Sequence, residues 1–159
     1  MTETDDKKQG FRTLRGFLSG EEKNEESYFA YKASLSIFGH IADLEEITLR
    51  LGVVPTNTHR QGDRQGDRRA PNSPPYKHDM WRYDAPVKET EPLHIHIDTL
   101  WNTFRERKEY LLQLKQSLTV DVFLGYRSNC DHAGVEVPYQ SLEMFRELQV
   151  PFGLSIIVA

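Results

Sequence analysis

The densest group of metal-ligating side chains in the sequence is His94-Ile95-His96-Ile97-Asp98. On a β-strand, residues two apart share a face, so His94, His96 and Asp98 would all point one way, toward a divalent ion. On a helix each residue advances about 100°, and the two histidines would diverge by roughly 200°. Pro92 and the apolar stripe after it favour a helix start with Leu93 and Ile97 on the buried side. The expectation is therefore an exposed or backbone-satisfied histidine pair, with a metal-dependent enzyme as the alternative.

Two further constellations invite chemical readings. Cys130-Asp131-His132 falls in a turn after an alternating strand, where Asp and His are ordinary residues. Cys130 is the single cysteine, so it makes no intramolecular disulfide and lacks the partner a structural zinc site needs. A nucleophilic Cys-His pair would need spatial adjacency and an activating environment. The loop residues His59, Arg60, Arg64, Arg68 and Arg69 could cradle phosphate, since guanidinium forks match its oxygens. That loop lacks the strand, glycine-rich turn and helix of a nucleotide site, and it has no aromatics for stacking single strands. No Ser-His-Asp triad, paired acids or phosphate loop is present, so neither catalytic residues nor a cofactor are expected.

The elements that must hold these residues start with the alternation of Phe29, Tyr31, Ala33, Leu35 and Ile37 against Tyr28, Lys32, Ser34 and Ser36. That pattern predicts a strand with one face packed and the other largely wet. Asp43 offers an N-cap with Glu46 completing a capping box, and Leu44, Ile47 and Leu51 form the stripe of a short helix. Gly52 then supplies a left-handed C′ residue, and Pro55 prevents resumption. A long polar loop follows over residues 56–78, containing the tandem Arg60-Gln61-Gly62-Asp63-Arg64-Gln65-Gly66-Asp67. Beyond it lies a short strand with Trp81 pointing inward. Pro55, Thr56, Arg60, Gly62, Asp63 and Trp81 frame this junction and are the candidate binding residues.

From Leu93 a long amphipathic stripe runs through Ile97, Leu100, Phe104, Leu111, Leu114 and Leu118, with the charged run 105–109 marking a bend. Val120, Val122, Leu124 and Tyr126 alternate as a strand, Val135 and Val137 suggest its hairpin partner, and Ser141 is placed to cap a last helix. Phe152, Leu154, Ile156 and Val158 read as a closing strand. Helices mixed with antiparallel hairpins predict an α+β two-layer sandwich, a mixed, mostly antiparallel sheet of about five strands with helices on one face.

Composition narrows the function classes. With 159 residues, 38% hydrophobic and 28% charged, the chain suits one globular domain, 28–159, behind a polar extension, 1–27. Within that extension Phe11, Leu14, Phe17 and Leu18 fall at helical spacing, a pattern suited to docking or to partner binding. No apolar run approaches the ~20 residues of a membrane span, and the acidic N-terminus is no secretory signal, so the cytoplasm is expected. A net charge of −4 makes wholesale nucleic-acid binding an unfavoured partner class.

Residues Tyr28–Phe38, Leu44-Glu45-Glu46-Ile47-Thr48, Leu51-Gly52-Val53-Val54-Pro55-Thr56, Gly62-Asp63, Trp81 and the helix from Leu93 together resemble a bacterial family, the domain of unknown function DUF4279. The resemblance spans roughly residues 28–159 and implies the fold; it carries over no activity and no catalytic residues. The doubled tetrad leaves open whether Gly62-Asp63 or Gly66-Asp67 is the family's pair. The functional expectation is a non-catalytic protein-binding domain, of accessory or immunity type, using its sheet face or the long loop. Tyr28, Lys32, Phe38 and Phe123 are the face's aromatic and cationic residues. Phosphate or nucleic-acid binding through 59–69 is the other non-enzymatic reading.

Overall fold

The computed structural model describes residues 28–64, 73–130 and 134–158. The extension with Phe11 to Leu18, the second Gly-Asp pair, Arg68, Arg69, Asp131 and His132 lie outside them.

β1 (Phe29–Gly39) is the centre of a five-stranded sheet because it is the longest strand with apolar residues at every second position. The order is β2-β3-β1-β4-β5, with β2 (Asn57–His59), β3 (Asp79–Asp84), β4 (Thr119–Ser128) and β5 (Leu154–Val158). β1 pairs antiparallel with β3 and β4, and β2 pairs antiparallel with β3, whereas β5 runs parallel to β4. The mixed, mostly antiparallel α+β sheet expected from the sequence is present.

Register stacks the core in rows across the strands. Ile37 lies between Trp81 and Val120, Leu35 between Tyr83 and Val122, and Tyr31 beside Tyr126. The helices α1 (Leu44–Leu51), α2 (Leu93–Phe104), α3 (Lys108–Leu114) and α4 (Glu143–Leu148) contribute Ile47, Leu51, Leu93, Ile97, Leu100, Phe104, Leu111, Phe145 and Leu148 to the same buried cluster. A 3₁₀ turn at Arg105–Arg107 separates α2 from α3 where the charged run predicts a bend.

α1 is bounded by the residues its sequence offers. The Asp43 carboxylate accepts from Glu45 N at 2.8 Å and Glu46 N at 3.3 Å, satisfying two of the otherwise unpaired amides of the first turn. Gly52, at φ 72°, closes the helix through a bond from its N–H to the Thr48 carbonyl.

Three local expectations need correction. Val135 and Val137 form no strand; the free edge of β4 is taken by β5, which returns through α4 because parallel pairing requires a crossover. Ser141 is no helix cap: it is buried in a 3₁₀ turn, Tyr139–Leu142, and the N-cap of α4 is Leu142, with no side-chain bond. The far face of β1 is not largely wet, since Ser34 and Ser36 are buried under longer neighbours. Among the described residues, no helix is long and apolar enough to cross a membrane.

Candidate functional site

The structure gathers Thr56, Arg60, Gly62, Asp63 and Trp81 at one corner of the sheet and gives each an internal partner. Thr56 N donates to the Arg82 carbonyl at 2.8 Å, and Thr56 Oγ1 accepts from Asp84 N at 2.9 Å. Half-buried Pro55 stands between that residue and the close of α1. Gly62, at φ 88°, makes the turn that brings its N–H to the Tyr76 carbonyl, and Asp63 accepts from Arg60 N at 2.9 Å. The first Gly-Asp pair therefore has a conformational task in this turn.

The centre of the corner is Asp79, which the sequence reading passed over. Its buried carboxylate accepts from Ile41 N and Gln61 N, each at 2.8 Å, tying the end of β1 to the start of the long loop. Those two backbone bonds hold its pKa below the ordinary carboxylate value, with help from Arg60. Arg60 lies 3.6 Å from Asp79 and donates to the Ile41 carbonyl. An acidic residue at the buried start of a strand was the available signal, but its partners lie 18 and 38 positions away.

Trp81 is fully buried and donates from Nε1 to Thr48 Oγ1 at 3.0 Å, so its indole locks β3 to α1. The metal-ligand triplet is split by α2. His96 turns into the core, with Nε2 3.2 Å from the Glu91 carbonyl, while His94 and Asp98 are only half-buried. Burial pushes the His96 imidazole below its ordinary pKa, against the raising effect of the Glu91 and Lys88 carbonyls. Among the described residues, no three His, Cys, Asp or Glu side chains gather as a metal site. The Cys130 Sγ meets Asn129 Oδ1 at 3.7 Å.

The surface that remains available is the sheet face away from the helices. Its floor is a closed polar network. Lys32 Nζ contacts Asp84 Oδ2 at 2.8 Å, Ser34 Oγ donates to Asp84 Oδ1 at 2.7 Å, and Arg82 Nε donates to Ser36 Oγ at 3.2 Å. Burial raises the Asp84 pKa, yet the Lys32 and Ser34 hydrogen bonds outweigh it and leave the carboxyl below its ordinary value. Beside this floor, register places Lys32 opposite Gly125 and Gly125 opposite Ser155.

Phe123 lies against Gly125. A Cβ there would come within 3.0 Å of the Phe123 ring, so glycine is what permits the contact. The ring stays 37% exposed and, with Tyr28, Lys32, Glu89 and Arg127, borders an open depression of about 210 Å³. Among the described residues, Arg127 forms no ion pair, although it is exposed. Tyr28, Lys32 and Phe123 were legible as face residues; a lone glycine inside an alternating strand marks the depression itself.

Residues 29–159 match the family described as Domain of unknown function (DUF4279). The chain belongs to that family. No curated protein and no solved structure matches it. In this DUF4279 chain, Leu51, Gly52, Thr56, Gly62, Asp63 and Trp81 are thus residues with defined structural contacts or backbone conformations.

Proposed function

We propose that this DUF4279 chain is a non-catalytic protein-binding domain that works through the helix-free face of its sheet. Its target is a protein segment that lays an apolar or aromatic side chain on Phe123 and sets a carboxylate near Arg127. The observation that carries this reading is the exposed Phe123 ring held over Gly125 beside a cation without an ion-pair partner among the described residues. An accessory or immunity-type role in a bacterial cytoplasm suits such a domain.

Phosphate or nucleic-acid binding through loop 59–69 is less well supported, because the Arg60 guanidinium is engaged by Asp79 and the Ile41 carbonyl. The His94/His96/Asp98 enzyme reading has lost its shared face.

The test compares tagged wild-type chain with Phe123→Ser/Arg127→Glu and with Glu109→Lys, an exposed control on the helix layer. Each is expressed in the source cell, and recovered proteins are quantified by mass spectrometry. A partner held equally by wild type and control, and reduced at least ~10-fold by the face variant, is expected from loss of a binding hot spot. Equal loss from the control, or no loss from the face variant, would refute the reading.

A further inference from the structure

The two edges of the sheet are built differently. At one end stands β2, three polar residues, Asn57-Thr58-His59, just after Pro55. Such a short polar strand gives little template for another chain. At the other end stands β5, Leu154-Ser155-Ile156-Ile157-Val158. It has no charge, proline or glycine, and the nine residues Val150–Val158 carry no charge at all. Among the described residues, no strand pairs with its outer side.

β5 is also apolar on both flanks of that open edge. Ile156 and Val158 share the side of Tyr126 and Ser128 that faces the helix layer, while Ile157 lies on the opposite face beside Arg127. All three are more than half exposed, at 59%, 59% and 56%, and Phe152 just before them is 47% exposed. An apolar groove lined by Val135, Val137, Leu142, Phe145, Phe152 and Leu154 continues the surface toward α4.

We infer that β5 pairs with β5 of a second copy of this chain, antiparallel about a two-fold axis through Ile156, joining two five-stranded sheets into one. A charged edge would set like charges against themselves across such an axis; this one sets Leu154 of one copy against Val158 of the other and Ile156 against itself. The four exposed apolar side chains and Leu142, divided between the two flanks of the edge, leave roughly 400 Å² of apolar surface open per copy, within the range of the largest patch on a single chain, which is often functional. Two such patches with the strand edges between them remove roughly 1,200 Å² from water, the lower bound for stable association. The edge and the Phe123 face adjoin at Ser155 and Ile157, which line the depression beside Arg127, so the mass of the chain is measured without a partner present.

The experiment measures the mass of the full-length chain by light scattering and sedimentation up to millimolar concentration. Wild type is expected at twice the monomer mass. Ile156→Lys/Ile157→Lys, changes at exposed positions, is expected to be monomeric with unchanged circular dichroism. In a Cys130→Ser background, Ile156→Cys is expected to form an intermolecular disulfide on mild oxidation, because antiparallel partners sit ~4.5–5.5 Å apart. A monomeric wild type, a dimer that survives both lysines, or a 156 cysteine that stays reduced overturns the inference.

Discussion

Gly125→Ala is the most informative single change on the proposed binding face. The new methyl would lie 3.0 Å from Cε1 and 3.3 Å from Cζ of Phe123, and 3.7 Å from Cβ of Lys32. The first distance is tighter than nearly all packed carbon contacts, while the Lys32 contact is ordinary, so the partner that moves is the Phe123 ring. Two terms then oppose each other. Restricting the unfolded chain by replacing glycine stabilises by about 0.4–1 kcal/mol where the backbone is compatible, and Gly125 has no positive φ. Displacing a partly exposed phenyl ring from its rotamer costs about 0.5–1.5 kcal/mol. The net change in stability is expected to stay within about 1 kcal/mol, a shift of at most ~5 °C in the thermal midpoint. The ring nevertheless shifts by a few tenths of an ångström. The assay is thermal unfolding paired with proton NMR of the Phe123 ring, whose resonances move as the new methyl shifts it. A loss above ~2 kcal/mol would mean that the ring is pinned as core. Unchanged Phe123 ring resonances would mean that it never lay over Gly125; either result refutes the reasoning.

Three further outcomes follow from the buried groups. Trp81→Ala is expected to cost about 3–5 kcal/mol and Trp81→Phe distinctly less, because only the second keeps a ring against Phe104 while losing the bond to Thr48; equal urea midpoints would contradict this. The Tyr31 hydroxyl is buried with no hydrogen-bond partner among the described residues, and burial together with neighbouring Tyr126 pushes its pKa up to about 12. Tyr31→Phe is therefore expected to be neutral or to stabilise by up to ~1 kcal/mol, and a comparable loss in chemical denaturation would reveal a bound partner for the hydroxyl. Because His96 has a lowered pKa in the folded chain, the unfolded chain binds its proton first as pH falls below the ordinary value of 6.5. Wild type should thus lose stability relative to His96→Leu between about pH 7.5 and 5.5; parallel stability curves would exclude this coupling.

What the sequence made legible was local. The alternation of β1, the Asp43 and Gly52 ends of α1 and the break at Arg105–Arg107 each depend on residues within a few positions of one another. What escaped depends on distant partners. β2 has no alternation to read and exists because Asn57, Thr58 and His59 meet Arg82, Trp81 and Met80. β5 displaced the hairpin expected from Val135 and Val137 because a crossover through α4 delivers a longer apolar strand to the same edge. Ser34 and Ser36 are buried only because Asp84 and Arg82, some fifty residues on, hydrogen-bond over them. The junction from Pro55 to Trp81 was visible as a constellation, but its physical role turned on Asp79 and Thr48, whose contacts no spacing rule discloses. The candidate face was half legible, through Tyr28, Lys32 and Phe123; Arg127 and Glu89 join it only through register and loop packing.

The most direct measurement of the proposed function is photo-crosslinking in the source cell from benzoylphenylalanine placed at position 123. The same group at Glu109 on the helix layer and at Gln61 in the Asp79-bound turn gives two controls. A discrete adduct with one protein from position 123, absent from 109 and 61, is the expected result. Adducts from 61 alone would move binding to the long loop, and no adduct from 123 would contradict a binding role for the sheet face.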